Sequence, residues 1–234
     1  MVAMAQPRGM LDEELAQIET EILRLGSMVE EAIQQSIVAL KGRDLELARH
    51  IIVADQEING LRYKIENLCL TVIATQQPVA GDLRMIIAAM HVAVEMERMA
   101  DHAEGIAQLV TRMADEPLLK PLIDVPRMAN IACEMLRASL DAFLTRDTKA
   151  AQAVVARDDE IDQLHDQVFR ELLTYMLQDP SNINRATYLL WVAHNLERIG
   201  DRITNISERV VFMATGELKE LDGSWRETGL TGKA

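Results

Sequence analysis

Shifted by 103 residues, the first part of each half of this chain aligns without a gap. Glu31 meets Glu134, Ser36 meets Ser139, Arg43-Asp44 meets Arg146-Asp147, Asp55 meets Asp158, and Glu57-Ile58 meets Glu160-Ile161. Further on the offset becomes 100, and Val92-Ala93, Glu97-Arg98, Asp101 and Ile106 meet Val192-Ala193, Glu197-Arg198, Asp201 and Ile206. The change of three falls between helical patterns, where a loop absorbs length changes. A repeat of about 100 residues limits the fold to two copies of one unit, packed side by side.

Each unit reads as three helices. Leu11, Leu15, Ile18, Ile22, Leu25, Val29, Ile33, Ile37 and Leu40 recur at three- and four-residue steps, the apolar stripe of one long amphipathic helix. Gly42-Arg43-Asp44 breaks it, and Asp44 is a suitable N-cap for a second helix reaching about residue 74. QQPVAGD (76–82) is a turn with Asp82 as the expected cap of a third helix to about 114. DEPLLKPLIDVP (115–126) carries three prolines and reads as the linker, with Asp124 as a cap and Pro126 in the first turn after it. Helices over 125–145, 147–178 and 181–215 follow. The expected architecture is all-α: two pseudosymmetric antiparallel three-helix bundles over 1–118 and 119–216, then a polar tail over 217–234.

Composition narrows the function. The chain is 49% hydrophobic but only 3% aromatic, and 13 methionines join the aliphatic residues, which favours helices. A net charge of −13 argues against nucleic acid as a partner and makes multivalent cations plausible ones. Cys69 and Cys133 lie in apolar helical pattern without a metal signature, as reduced thiols in a cytosolic compartment do. The first residues contain no apolar stretch of a secretory signal, and the runs 85–94 and 186–196 are about half the ~20 residues of a membrane span. A cytoplasmic protein is expected, peripheral to a membrane only through partners.

The candidate chemistry lies in carboxylates spaced four apart. Glu97 and Asp101, and in the repeat Glu197 and Asp201, share one helix face each. Asp55 stands 12 residues after Arg43 and Glu31 stands 12 before it, so an antiparallel hairpin puts both at one height, about 18 Å from the turn. The next turn, near residue 79, brings Asp55 and Asn59 level with Glu97 and Asp101 by the same measure. In the second unit Glu134, Asp158, Asp162, Glu197, Asp201 and Asn205 come to one level. Carboxylates gathered in a groove repel one another unless a cation or proton neutralises them. Oxygen ligands of this kind suit iron, manganese, magnesium or zinc. The competing reading is structural: Glu97 and Glu197 each precede an arginine, Arg98 or Arg198, and solvated ion pairs of that sort contribute under about 1 kcal/mol.

Other residues offer less. His102 beside Asp101 and His165 three after Asp162 are near the acids, but no histidine repeats between the units. Met85, Met90, Met96 and Met99 read as core. No nucleophile signature and no Walker or GxGxxG loop is present, so no enzyme activity is expected. A ferritin-like di-metal protein asks for Glu-x-x-His on two helices, and only Asp162-x-x-His165 comes near. A helical scaffold with no ligand is the third option.

QPVAGDLRMI (77–86) with MERMADHAEGIA, and QDPSNI (178–183) with LERIGDRITNISE, resemble the PhoU family, accessory regulators of phosphate-specific transport and phosphate signalling in bacteria. The resemblance spans about residues 10 to 215. It implies two pseudosymmetric three-helix bundles in a cytoplasmic, often dimeric, non-enzymatic adaptor. It further implies bridging of the phosphate ABC transporter ATPase subunit and the phosphate-sensing histidine kinase, with the starvation response held off when phosphate is plentiful. Some members carry multinuclear metal clusters at E/DxxxD motifs, here Asp158-Asp162, Glu97-Asp101 and Glu197-Asp201. Asn59 stands where a second acid would complete Asp55-x-x-x-Asp, and Ala100 and Gly105 differ from Gly200 and Asn205, which marks the first cluster as the weaker.

Overall fold

The structure, a computed structural model, describes residues 8–113, 116–218 and Leu221. Seven α-helices follow in order: α1 Arg8–Gly42, α2 Leu45–Gln76, α3 Ala80–Arg112, α4 Asp124–Thr145, α5 Thr148–Ala156, α6 Asp158–Gln178 and α7 Ile183–Thr215. No strand occurs among the described residues. Helices α1–α3 form one antiparallel bundle and α4–α7 the other, with α5 and α6 together taking the place of one helix. The tail expected from 217 lies outside the described residues beyond Leu218, apart from Leu221.

The hairpin turns follow the repeat. Asp44 accepts a hydrogen bond from Leu47 N, and its twin Asp147 accepts from Lys149 N and Ala150 N. Arg43 and Arg146 occupy the left-handed region before them, at φ 53° and 55°. Two expected caps are displaced. Asp82 lies within the first turn of α3, whose cap is Val79, and Asp124 opens α4 rather than preceding it. Both still place a carboxylate at a helix N-terminus, where the dipole favours it.

The expected helix over 147–178 is broken at Arg157, whose backbone closes i→i+3 bonds on both sides (Arg157 N to Val154 O, Glu160 N to Arg157 O). Neither glycine nor proline stands there. The break coincides with two tertiary contacts: Arg157 pairs with Glu134 at 2.8 Å, and Asp158 Oδ1 occupies the hollow that a side chain at Gly200 would fill.

The core behaves as the stripes require. Ile18, Ile22, Leu25, Val29 and Ile33 are fully buried, as are Met85, Met96 and Met99, while Met90 is partly so. Cys69 and Cys133 are buried free thiols whose pKa values burial pushes up to about 12 and about 11, so they stay protonated. Helix α3 packs against α1, α2 and α7 and is correspondingly apolar on most faces, with Ala88, Ala89, Ala93, Ala100, Ala103 and Ala107 allowing close approach. Where α1 meets α4, a Cβ on Gly26 would come 2.3 Å from Leu140 Cδ1, so glycine sets that spacing.

Helices α3 and α7 cross antiparallel on the axis that relates the two bundles. Glu95 Oε2 accepts from Arg202 Nη1 at 3.4 Å and Asn205 Nδ2 at 3.2 Å. The twin contact, at offset 100, is His102 Nδ1 donating to Asn195 Oδ1 at 3.0 Å. One copy of the contact is ionic and the other neutral. The linker is fastened as well: buried Lys120 pairs with Glu171 on α6 and with Asp124 at 3.7 Å.

Candidate functional site

Both acid clusters lie between the middle and last helices of a unit. In the first, α2 supplies Asp55 and Asn59, and α3 supplies Glu97 and Asp101. Asp55 is only 9% exposed. Asn59 Nδ2 donates to Asp55 Oδ2 at 2.6 Å, while Asp55 Oδ1 has no hydrogen-bond partner among the described residues. Carboxylate oxygens of Asp55, Asp101 and Glu104 lie within 4.8 Å of one another. Burial, then the charges of Asp101, Glu104 and Glu97, push the Asp55 carboxyl up to about 6 against the Asn59 hydrogen bond. Glu97 is raised by burial and by Asp101, and Asp101 by burial, with Arg98 opposing both shifts.

Glu104 was not among the candidates. Its twin is Thr204, so a search for repeated acids passes over it. The signal lay in the spacing, three residues after Asp101 and seven after Glu97 on one face. The cluster that the sequence marked as weaker therefore contains the tightest group of carboxylates among the described residues.

In the second unit, α6 supplies Asp158 and Asp162, and α7 supplies Glu197 and Asp201. Asp158 Oδ1 is buried without a hydrogen bond, 2.4 Å from where a Cβ on Gly200 would stand. Burial followed by Asp162, Asp201 and Glu197 pushes Asp158 up to about 7, and burial followed by Glu197 and Asp201 pushes Asp162 up to about 6. Glu197 Oε2 is also buried and takes no aligned hydrogen bond, although His194 Nδ1 is 3.3 Å away. Arg198 pairs with Asp201 at 2.9 Å rather than with Glu197.

Two residues are placed elsewhere. Asn205 turns to Glu95 on the α3–α7 axis, and His102 turns to Asn195 there. Glu134, expected at the level of the second cluster, is held by Arg157. His165 stands near Asp162, its ring 6.3 Å from that of His194.

A family model described as "PhoU domain" matches this chain twice, over residues 22–110 and 125–210. The chain belongs to the PhoU family. It is 39% identical to the phosphate-specific transport system accessory protein PhoU homolog of Aquifex aeolicus (strain VF5), over 89% of this chain and 94% of that protein. The protein of the same description from Zymomonas mobilis is 40% identical, over 88% of this chain and 87% of that one. Its fold is similar to the crystal structure of the phosphate transport system regulatory protein PhoU from Streptococcus pneumoniae, with TM-score 0.83 and 32% identity, covering 89% of this chain and 99% of that one. No helix among the described residues is long and apolar enough to cross a membrane.

The donors present fit the metal ions that the family resemblance implies. They are hard oxygens, and Asp55 Oδ1, Asp158 Oδ1 and Glu197 Oε2 are buried carboxylate oxygens without hydrogen bonds. Gly200 offers a local test. Gly200→Ala forces Asp158 or Ile161 to shift, since the new Cβ meets Asp158 Oδ1 at 2.4 Å and Ile161 Cδ1 at 3.2 Å. If the second unit binds manganese through these carboxylates, the substitution is expected to lower that affinity by about tenfold, the effect of about 1.4 kcal/mol of lost positioning. Isothermal titration against Ala100→Gly at the twin position checks this, with no comparable loss expected there.

Proposed function

We propose that this chain is a non-enzymatic adaptor that regulates phosphate uptake and phosphate signalling and negatively regulates the phosphate-starvation response. It bridges the ATPase subunit of a phosphate ABC transporter and a phosphate-sensing histidine kinase, in the cytoplasm and as a homodimer. Its acid clusters bind divalent or ferric ions: Asp55, Glu97, Asp101 and Glu104 in one unit, Asp158, Asp162, Glu197 and Asp201 in the other. The adaptor part is supported by the relatives, which are accessory proteins of phosphate-specific transport. One observation supports the metal part: Asp55, a residue nine-tenths buried, shares a 4.8 Å cluster of carboxylate oxygens with Asp101 and Glu104, and its Oδ1 takes no hydrogen bond from the described residues. A buried carboxylate in that position is costly unless a proton or a cation completes it.

Tagged chain recovered from phosphate-replete cells is expected to co-purify with the transporter ATPase or the kinase, and its deletion to derepress phosphatase in rich phosphate. Normal repression in the deletion strain would overturn the adaptor reading. Metal content of protein prepared without chelators is expected to fall in Glu97→Ala/Asp101→Ala. Equal metal content and equal melting temperature in the two proteins would sink the metal reading.

A further inference from the structure

The duplication supplies an internal comparison at one groove. Between α1, α2 and α3 of the first unit lies a cleft of about 190 Å³, lined by the apolar Met28 and Ala54, by His50 and by the acids Glu31, Glu57 and Asp55. At offset 103 the two outer acids become Glu134 and Glu160, and Ala54 becomes Arg157. In the second unit Arg157 places Nη2 2.8 Å from Glu134 Oε2 and Nε 3.4 Å from Glu160 Oε1. There the chain's own guanidinium lies between the two carboxylates.

In the first unit no arginine or lysine lines the cleft; its basic side chain is His50, which makes no ion pair with either glutamate among the described residues. Glu31 accepts only the Gln35 amide, at 2.7 Å, and no cation among the described residues pairs with Glu31 or Glu57. Asp55, one of the acids of the proposed metal cluster, lines the same cleft, nine-tenths buried, with no hydrogen bond to Oδ1. A guanidinium spans two carboxylates because its donors form a rigid planar fork, whereas an ammonium is a single point of charge. The arginine stem in turn covers apolar floor while its head stays among the acids.

We propose that the first-unit cleft receives an arginine side chain from a partner protein, whose flanking aliphatic residues cover Met28, Ala32 and Ala54. The proposal rests on the adaptor reading for the existence of a protein partner and goes beyond it by naming the chemistry that docks. In the second unit the arginine is built in; in the first it arrives from outside. The side chains of Arg157, Glu134 and Glu160 are 35%, 54% and 49% exposed, so each ion pair alone is weak. Apolar contact with the floor must therefore supply much of the binding.

The probe is an acetylated, amidated helical peptide of alanine and leucine with one central arginine, beside a matched peptide carrying neutral citrulline. Both are titrated against the full chain in EDTA, which keeps cations out of Asp55 and Glu104. The arginine peptide is expected to bind about tenfold tighter or better. Glu31→Gln/Glu57→Gln should bring it down to the citrulline level. Ala54→Arg, which copies the second unit, should block the peptide without lowering the melting temperature. Equal affinity of the two peptides, or binding undiminished in both variants, overturns the proposal. Peptide discrimination with no partner capture from cells overturns the adaptor reading alone; partner capture without discrimination overturns the cleft alone.

Discussion

Kept free of metal ions with EDTA, the protein is expected to lose about 3 kcal/mol of unfolding free energy between pH 5 and pH 7.5. Asp158 titrates at about 7 in the folded chain, and Asp55 and Asp162 at about 6, against an ordinary aspartate value of 3.8. A carboxyl whose folded pKa is raised holds a proton that the unfolded chain has released. Its contribution to stability is complete below the unfolded pKa and is lost as the pH rises through the folded one. Each proton so held is worth about 1.4 kcal/mol per pH unit. The simple sum exceeds 3, and we reduce it because the groups interact and Asp158 and Asp162 are partly exposed. His91 and His102 act oppositely: burial lowers both pKa values, so they favour the folded state as the pH rises toward and past 6.5. If the proposed metal sites are real, a divalent cation takes the place of the protons, and manganese at about 100 times its Kd then restores roughly 2.7 kcal/mol at pH 7.5. Urea unfolding across this range, with and without metal, measures both effects. A flat or rising profile in EDTA would contradict the clustering of these carboxylates.

What the sequence told of this fold, and what it withheld, divides along local and tertiary lines. The stripe from Leu15 to Leu40, the caps Asp44 and Asp147, and the heights of Asp55 against Glu97 all follow from helical period and hairpin symmetry. The break at Arg157 leaves no local mark, since Val154, Val155, Ile161 and Leu164 continue the apolar pattern across it. It coincides instead with contacts to Glu134 and Gly200, residues 23 and 43 positions away in opposite directions. The site shows the same division. Each four-residue step turns about 40° beyond a full circle, so two steps from Glu197 carry Asn205 about 80° round the helix and onto the α3–α7 axis. Seven residues from Glu97, by contrast, return Glu104 to within about 20° of the starting line. Steps of four identified Asp101 and Asp201 correctly as neighbours of the acids before them, and failed at the third member.

Glu95→Ala is expected to cost about 3 kcal/mol, because it leaves the Arg202 guanidinium half-paired at the contact between the two bundles. The side chains of Arg202 and Glu95 are only 21% and 17% exposed, and the same Oε2 also accepts from Asn205. The duplication shows which repair should work. At offset 100 the trio Glu95, Arg202 and Asn205 corresponds to Asn195, His102 and Gly105, where an imidazole N–H meets an amide oxygen and glycine leaves room for the asparagine. A Cβ on Gly105 would come 3.3 Å from Asn195 Oδ1, so that version needs a glycine or a small retreat of the amide. Glu95→Asn alone should therefore still be destabilising, by about 2 kcal/mol, since it strands a cation beside a neutral acceptor. Glu95→Asn/Arg202→His/Asn205→Gly, which makes the axis symmetric, should recover most of that loss, less about 1 kcal/mol for a glycine inside α7. Chemical denaturation of the four proteins at pH 8, where the imidazoles are neutral, gives the comparison. If the triple variant is no more stable than Glu95→Asn, the two contacts are not interchangeable, and the pseudo-twofold relation holds for the backbone but not for the chemistry on its axis.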